Sequence, residues 1–171
     1  MGTMILYLGG AKSGKTRLAQ ARAEQSPGPR VYLATAQALD AEMGERIKRH
    51  QAERGPDWRT VEAPFDPDLS LAGLKDGQPV LLDCITLWLS NLMGEDEDFG
   101  RILGRMDRLA RAAKSHGGPV IIVSNEVGGG IVPANALARR FRDLAGAANQ
   151  RLAAVADEVY LAVAGLEMKL K

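Results

Sequence analysis

The stretch Met4-Ile-Leu-Tyr-Leu-Gly-Gly-Ala-Lys-Ser-Gly-Lys-Thr16, MILYLGGAKSGKT, decides the fold. Its apolar run ends at a glycine pair, as expected of a strand buried on both faces of a parallel sheet. Gly9, Gly10, Ala11, Lys12, Ser13, Gly14, Lys15 and Thr16 then match the phosphate-loop pattern G-x-x-x-x-G-K-S/T at every fixed position. The motif follows an expected strand and opens an expected helix. Backbone N–H groups can therefore be aimed at phosphate oxygens beside a positive helix terminus. Lys15 is placed to reach the terminal phosphates, Lys12 adds a cation, and Thr16 offers a hydroxyl to Mg²⁺. A glycine-rich turn that binds nothing is the simpler alternative, and the complete motif in this context weighs against it.

Further along the chain, Arg30–Ala34 and Pro79–Cys84 read as strands, as does Pro119–Ser124, and Trp58–Glu62 reads as a short extended piece. Helices are expected from near Lys15 to the Ser26-Pro27-Gly28-Pro29 stop, from an Asp40 N-cap to about Arg54, over Ile85–Met93, over Arg101–Ser115, and over Ala134–Ala156 with a break near Gly146. Ala63 to Lys75 offers one or two helical turns. Glu158–Ala164 and Met168–Lys171 read as a terminal hairpin around Gly165. Strands alternating with helices imply an α/β fold: a phosphate-loop NTPase-like, RecA-like domain whose mainly parallel central sheet is flanked by helices, with an antiparallel C-terminal edge.

The chain has 171 residues, which suits a single nucleotide-binding and catalytic domain over 1–171, with Met1–Thr3 expected as an addition ahead of a natural start at Met4. Lys and Arg number 22 against 21 for Asp and Glu, so the balance gives no general reason to expect nucleic acid or an anionic membrane as partner. The single cysteine, Cys84, rules out an intrachain disulfide and fits a reducing compartment, with the cytoplasm as the expected location. No apolar run approaches the roughly 20 residues of a membrane span. The apolar Ile85–Met93 helix, with Leu87, Trp88, Leu89 and Leu92, is expected to be buried or to contribute to a subunit contact.

Asp83 ends an apolar strand, where a phosphate-loop protein places the acid that holds Mg²⁺. It also stands where it can cap the helix that starts at Ile85, and the two roles are compatible. His50 lies in Gly44-Glu-Arg-Ile-Lys-Arg-His-Gln-Ala-Glu-Arg-Gly55 and continues the inward stripe of Met43 and Ile47. That spacing favours a structural histidine at the edge of a core. A neutral imidazole is nevertheless a competent nucleophile toward phosphorus. Arg46, Arg49 and Arg54 are suited to stabilising a phosphate undergoing displacement. His116, in Lys114-Ser-His-Gly-Gly118, reads as a helix-end residue, capping or exposed. Asn125 and Glu126, at a strand end, are candidate substrate or metal contacts or simply turn formers before Gly128-Gly-Gly130.

Taken together, GGAKSGKT, ATAQALDAEM, RIKRHQAER, WRTVE, LLDCIT, SNEVGGGIVP and the segment FRDLAGAANQRLAAVADEVYLAVAGLEMKLK resemble the bifunctional adenosylcobinamide kinase/adenosylcobinamide-phosphate guanylyltransferase family of cobalamin biosynthesis. The resemblance covers nearly the whole chain in the family's order. It implies phosphorylation of adenosylcobinamide by ATP or GTP, then transfer of GMP from GTP to adenosylcobinamide-phosphate, giving adenosylcobinamide-GDP and pyrophosphate. The family's guanylylated histidine matches His50, with Lys15 in the phosphate loop. Ala34, Thr35, Ala36, Gln51, Ala52, Glu53, Arg54, Glu62 and Asp83 match its nucleotide site, and Thr16 and Asp83 its Mg²⁺ site. A homotrimer is implied as well, with the Ile85–Met93 helix as a candidate contact. Two positions depart from the pattern of some relatives: Asp83 stands where they carry glutamate, and Arg49 where they place a second histidine. A monofunctional phosphate-loop kinase and a nucleotide-dependent regulatory module remain the alternatives.

Overall fold

The computed structural model describes residues 2–38, 44–45, 52, 54–75, 77–95 and 98–171. Strands β1 (Met4–Gly9), β2 (Arg30–Ala34), β3 (Trp58–Glu62), β4 (Val80–Asp83), β5 (Val120–Asn125), β6 (Glu158–Val163) and β7 (Leu166–Lys169) form one sheet in the order β3-β2-β4-β5-β1-β6-β7. All neighbouring pairs are parallel except β6 and β7. The carboxyl ends of six strands therefore point to one edge of the sheet. Glu62, Ala34 and Asp83 lie level there, as do Gly9 and Asn125. In open α/β sheets that edge is where ligands bind, because the connections leave a crevice there.

Alternate strand residues face opposite ways, which splits the core in two. On one face Met4, Leu6, Val31, Leu33, Leu82 and Ile122 pack against four helices: α2 (Pro67–Ala72), α3 (Ile85–Glu95), α4 (Phe99–Ser115) and α5 (Ala136–Val155). On the other, Ile5, Tyr7, Tyr32, Leu81, Ile121 and Val123 pack against Ala19 and Ala23 of α1 (Lys15–Glu24). These small alanines let α1 lie close over the middle of the sheet, touching β1, β4, β5 and β6. Among the described residues no helix is long and apolar enough to cross a membrane.

The α/β architecture with an antiparallel C-terminal edge matches the sequence reading, and several local expectations change. The expected 40–54 helix falls mostly outside the described residues, as do Asp40, Met43, Ile47, His50, Gln51 and Glu53; Gly44, Glu45 and Ala52 are helical. Helix α4 begins at Phe99 rather than Arg101, because Asp98 in the acidic loop accepts a hydrogen bond from the Arg101 N–H at 2.9 Å and caps it. Helix α5 runs unbroken through Gly146, whose missing side chain leaves open space without disturbing the ladder. His116 caps the end of α4, one of the two expected roles, and is buried rather than exposed; its Nε2 lies 2.7 Å from the Gln78 carbonyl, which ties the end of α4 to the entry of β4. The apolar residues of α3 are spent within the chain, with Ile85, Trp88 and Leu89 fully buried and the Trp88 indole donating to the Phe65 carbonyl at 2.8 Å. That burial accounts for the helix's apolar composition.

A charged cluster locks α2 to α4. Asp68 is buried and accepts from Arg105 and Arg108, each at 3.1 Å, while Arg105 also donates to Phe65 and lies over the Trp88 ring. Removing the Asp68 carboxylate leaves the largely buried Arg105 guanidinium only the more exposed Asp66 as counter-charge, whereas Arg108 is half exposed. Asp68→Ala is expected to cost about 2 kcal/mol, the scale of lost hydrogen bonds to a charged group. Arg108→Ala should stay within about 1 kcal/mol of the parent, as exposed pairs do. Equal losses in urea unfolding would contradict this account.

Candidate functional site

The phosphate loop turns tightly between β1 and α1. Lys12 and Gly14 both have positive φ, 56° and 91°. The Ser13 N–H donates to the Gly10 carbonyl at 3.3 Å. Gly9 has no room for a side chain, since a Cβ would lie 2.5 Å from the Ser13 hydroxyl. At Gly14 the backbone conformation and the space both demand glycine: a Cβ would approach the Gly165 Cα to 3.0 Å. That contact comes from the β6–β7 turn, whose Gly165 N–H donates to the Ser13 carbonyl at 2.9 Å and whose carbonyl accepts from Arg17 at 3.1 Å. The terminal hairpin thus braces the loop from behind.

No side chain caps the N-terminus of α1, and its first turn has no acidic residue. That helix end carries the partial positive charge that favours an anion. Lys15 is buried and folds back so that its ammonium donates to the Gly10 carbonyl at 3.0 Å. Lys12 sits at the exposed crest of the turn.

Thr16 meets Asp83 across the sheet. Its hydroxyl donates to Asp83 Oδ2 at 2.9 Å, although β5 separates β4, which carries Asp83, from β1, which leads into the loop. The same oxygen accepts from the Tyr32 hydroxyl at 2.9 Å. A hydroxyl and a carboxylate side by side at the foot of a phosphate loop offer the hard oxygen ligands that Mg²⁺ prefers, with its remaining positions taken by phosphate and water. Among the described residues no group of three or more His, Cys, Asp or Glu side chains gathers to form a protein-only cage. The donor set therefore fits Mg²⁺ carried with a nucleotide.

Behind Asp83 the polar groups are paired. The buried Thr35 hydroxyl accepts from the Cys84 N–H and donates to the Cys84 carbonyl, both at 2.8 Å, and the Thr35 N–H donates to the Asp83 carbonyl. Thr35 thus serves the site by holding the backbone beside Asp83, where the Asp83–Cys84 peptide is cis. Asn125 donates to Thr86 Oγ1 at 2.6 Å, and its carbonyl accepts from Asn149, which accepts in turn from Ser124. Glu126 forms the turn, its carboxylate taking the Gly128 N–H at 2.6 Å. Burial, then the charge of Asp83, pushes the Cys84 thiol up to about 11.

The structure brings together Gly9 through Thr16, Ala34 to Ala36 and Asp83, with Glu62 level with Ala34 at the exposed edge. Ala52 is exposed, and Arg54 stacks on Tyr32 instead of standing free. His50, Gln51 and Glu53 lie outside the described residues. Sequence reading gave no site role to Tyr32, Asn149, Arg17 or Gly165. Tyr32 looked like any strand aromatic, and only the register of β2 with β4 puts its hydroxyl on Asp83.

Fold and site define a phosphate-loop nucleotide-binding protein of the RecA-like kind. The fold is similar to that of a KaiC-like protein from the hyperthermophilic archaeon Pyrococcus horikoshii OT3, with a TM-score of 0.51 at 16% identity over 94% of this chain and 70% of that one. It is also similar to the RadB recombinase, with a TM-score of 0.55 at 18% identity over 94% and 74%. The cobinamide kinase / cobinamide phosphate guanyltransferase family model matches residues 5–170. The bifunctional adenosylcobalamin biosynthesis protein CobU of Salmonella typhimurium LT2 is 44% identical over 98% of this chain and 99% of its own. The corresponding CobP of Pseudomonas aeruginosa PAO1 is 45% identical over 97% and 96%, and CobU of Escherichia coli K12 42% over 98% and 99%. The chain belongs to the cobinamide kinase / cobinamide phosphate guanyltransferase family.

Two outcomes follow from the geometry. Gly14→Ala should weaken GTP binding about tenfold or more, as the loop or the hairpin shifts to relieve strain. Gly10→Ala, whose added Cβ meets nothing within 4 Å, should leave the melting temperature unchanged; calorimetry and thermal unfolding read both. Cys84 should resist alkylation in the native protein at neutral pH, since its thiolate forms only as the pH rises toward about 11. Rapid labelling without unfolding would contradict its placement.

Proposed function

We propose that this chain phosphorylates the aminopropanol hydroxyl of adenosylcobinamide with ATP or GTP. It then transfers GMP from GTP to adenosylcobinamide-phosphate, releasing pyrophosphate and forming adenosylcobinamide-GDP. The observation that carries the reading is the family match over residues 5–170. The Thr16–Asp83 contact beside Lys15 supports it, because both reactions need the β- and γ-phosphates gripped in one place.

In the first reaction the substrate hydroxyl attacks the γ-phosphorus and the nucleoside diphosphate leaves. Lys15 and the N–H groups at the start of α1 stabilise charge on the transferred group. In the second, a ring nitrogen of His50 attacks the α-phosphorus. The P–N bond forms as the bond to the bridging oxygen breaks, and pyrophosphate departs. A phosphate oxygen of adenosylcobinamide-phosphate then attacks the same phosphorus and releases the histidine. Mg²⁺ held by Thr16 and Asp83 would neutralise phosphate charge in both. The family resemblance assigns His50 its role, and Arg54, four residues later in the sequence, stacks on Tyr32.

The proposed enzyme is a cytoplasmic homotrimer. The resemblance supports the trimer, as do the exposed apolar side chains Ile131, Val132 and Leu137, which the chain by itself leaves uncovered. Light scattering should give a mass three times that of the chain.

Incubation with Mg²⁺ and GTP should yield a covalent GMP adduct by intact mass. His50→Ala should lose it while still phosphorylating adenosylcobinamide. Lys15→Ala should reduce both reactions by about 10²–10³-fold, the scale of a lost transition-state donor. Persistence of the adduct in His50→Ala would remove the proposed nucleophile. Absence of corrinoid phosphorylation by the parent would remove the kinase reading.

A further inference from the structure

We propose that the C-terminal hairpin is part of the nucleotide site, with Arg17, Tyr7 and Glu167 as positioning residues that hold its tip against the phosphate loop and so set the loop's grip on a triphosphate. The inference rests on the phosphate-loop reading above.

The contact at the tip acts on one peptide. Val163 pairs with Leu166, which leaves Ala164 and Gly165 as a two-residue turn with φ of 53° and 81°. Two positive values in succession belong to the tight turn whose twist suits a hairpin, and so short a turn leaves little slack. The N–H groups of its central residues lie outside the ladder between the strands, and that of Gly165 donates to the Ser13 carbonyl at 2.9 Å. In a trans peptide the C=O and the N–H point opposite ways. Holding the Ser13 carbonyl toward the hairpin therefore directs the Gly14 N–H away from it, toward an anion at the front of the loop. Arg17, exposed on the first turn of α1, donates from Nη2 to the Gly165 carbonyl at 3.1 Å. The turn glycine is thus gripped through both of its peptide groups.

The hairpin is fastened to the two elements that flank the loop. On β1, two residues before Gly9, the Tyr7 hydroxyl donates at 2.9 Å to Oε2 of Glu167, which lies two residues after Gly165. Tyr7 is 1% exposed, and its ring stacks on Tyr160 of β6 with centroids 5.0 Å apart. A phenylalanine would fill that core slot as well; the hydroxyl adds the tie to the hairpin. Burial, then the Glu167 hydrogen bond, holds the phenol well above its ordinary range, so it stays a donor near neutral pH. On α1, Arg22 in the last turn pairs with Glu158 at the start of β6 at 2.9 Å, while Arg17 in the first turn reaches the far end of the same hairpin. A displaced tip would move the Ser13–Gly14 peptide, because the two chains already touch: a Cβ on Gly14 would lie 3.0 Å from the Gly165 Cα.

Arg17 and Glu167 are exposed, so Arg17→Ala and Glu167→Ala should melt within a few degrees of the parent in the absence of nucleotide. Affinity for the β,γ-imido analogue of GTP with Mg²⁺ is measured by calorimetry, and the Gly14 amide resonance by heteronuclear NMR of the nucleotide-free protein. Arg17→Ala should bind the analogue about fivefold more weakly and Glu167→Ala about threefold, the scale of one lost hydrogen bond each. Both should shift the Gly14 resonance before any nucleotide is added, which separates positioning from a direct contact between Arg17 and phosphate. Glu167→Gln keeps an oxygen that accepts from Tyr7 and should match the parent in both readouts. Parent-like affinity in Glu167→Ala overturns the inference, as does an unmoved Gly14 resonance in either alanine variant. So does binding by Glu167→Gln as weak as that of Glu167→Ala. If the parent itself does not bind the analogue, the phosphate-loop reading fails, and the inference fails with it.

Discussion

A single hydrogen bond from the Thr16 hydroxyl to the Asp83 carboxylate spans the sheet from the phosphate loop to β4, with β5 between the two strands. For the two side chains to meet, α1 must cross the sheet closely, which Ala19 and Ala23 permit. The loop ahead of α1 must turn sharply, which the positive φ of Gly14 permits. The six parallel strands must also end at one edge, so that a residue at the end of β4 and one at the start of α1 share the same crevice. Core packing, loop geometry and sheet direction all converge on that contact.

The surroundings of the contact are polar, buried and paired. Thr35 holds the Cys84 peptide, Asn125 holds Thr86, Asn149 links Ser124 to the Asn125 carbonyl, and Tyr32 holds Asp83 itself. A buried polar group without a partner is costly, and a fully satisfied network is stiff. Such stiffness suits a site that works by holding phosphates in place. The hairpin tip at Gly165 extends the same logic to the rear of the phosphate loop, tying its position to the last strands of the chain.

In the proposed reading, two reactions use one grip. Attack at the γ-phosphorus and attack at the α-phosphorus differ in which nucleophile is presented, while the β- and γ-phosphates can stay against Lys15, Thr16 and the open N-terminus of α1. A fixed phosphate site with an exchangeable nucleophile is an economical way for one domain of this family to carry both activities.

The strands and their ends were legible because apolar runs punctuated by glycine, proline or aspartate are local patterns, and Arg30–Ala34 and Trp58–Glu62 fall where those patterns put them. The phosphate loop was legible for the same reason, since its chemistry lies within eight consecutive residues from Gly9 to Thr16. Asp83 could be nominated from its place at a strand end, and His50 from family resemblance alone, its spacing having favoured a structural role. Strand order could not be read, because pairing is decided by which faces bury one another and not by neighbours in sequence. Hence the hydroxyl of Tyr32 on an aspartate 51 residues away, Gly165 beneath Ser13, and His116 buried against Gln78 emerge only in three dimensions. The sequence by itself determined the residues of the phosphate-loop motif and their place in the chain. Tertiary structure decided which side chains stand around them, because those contacts join elements that only the folded sheet brings to the same edge.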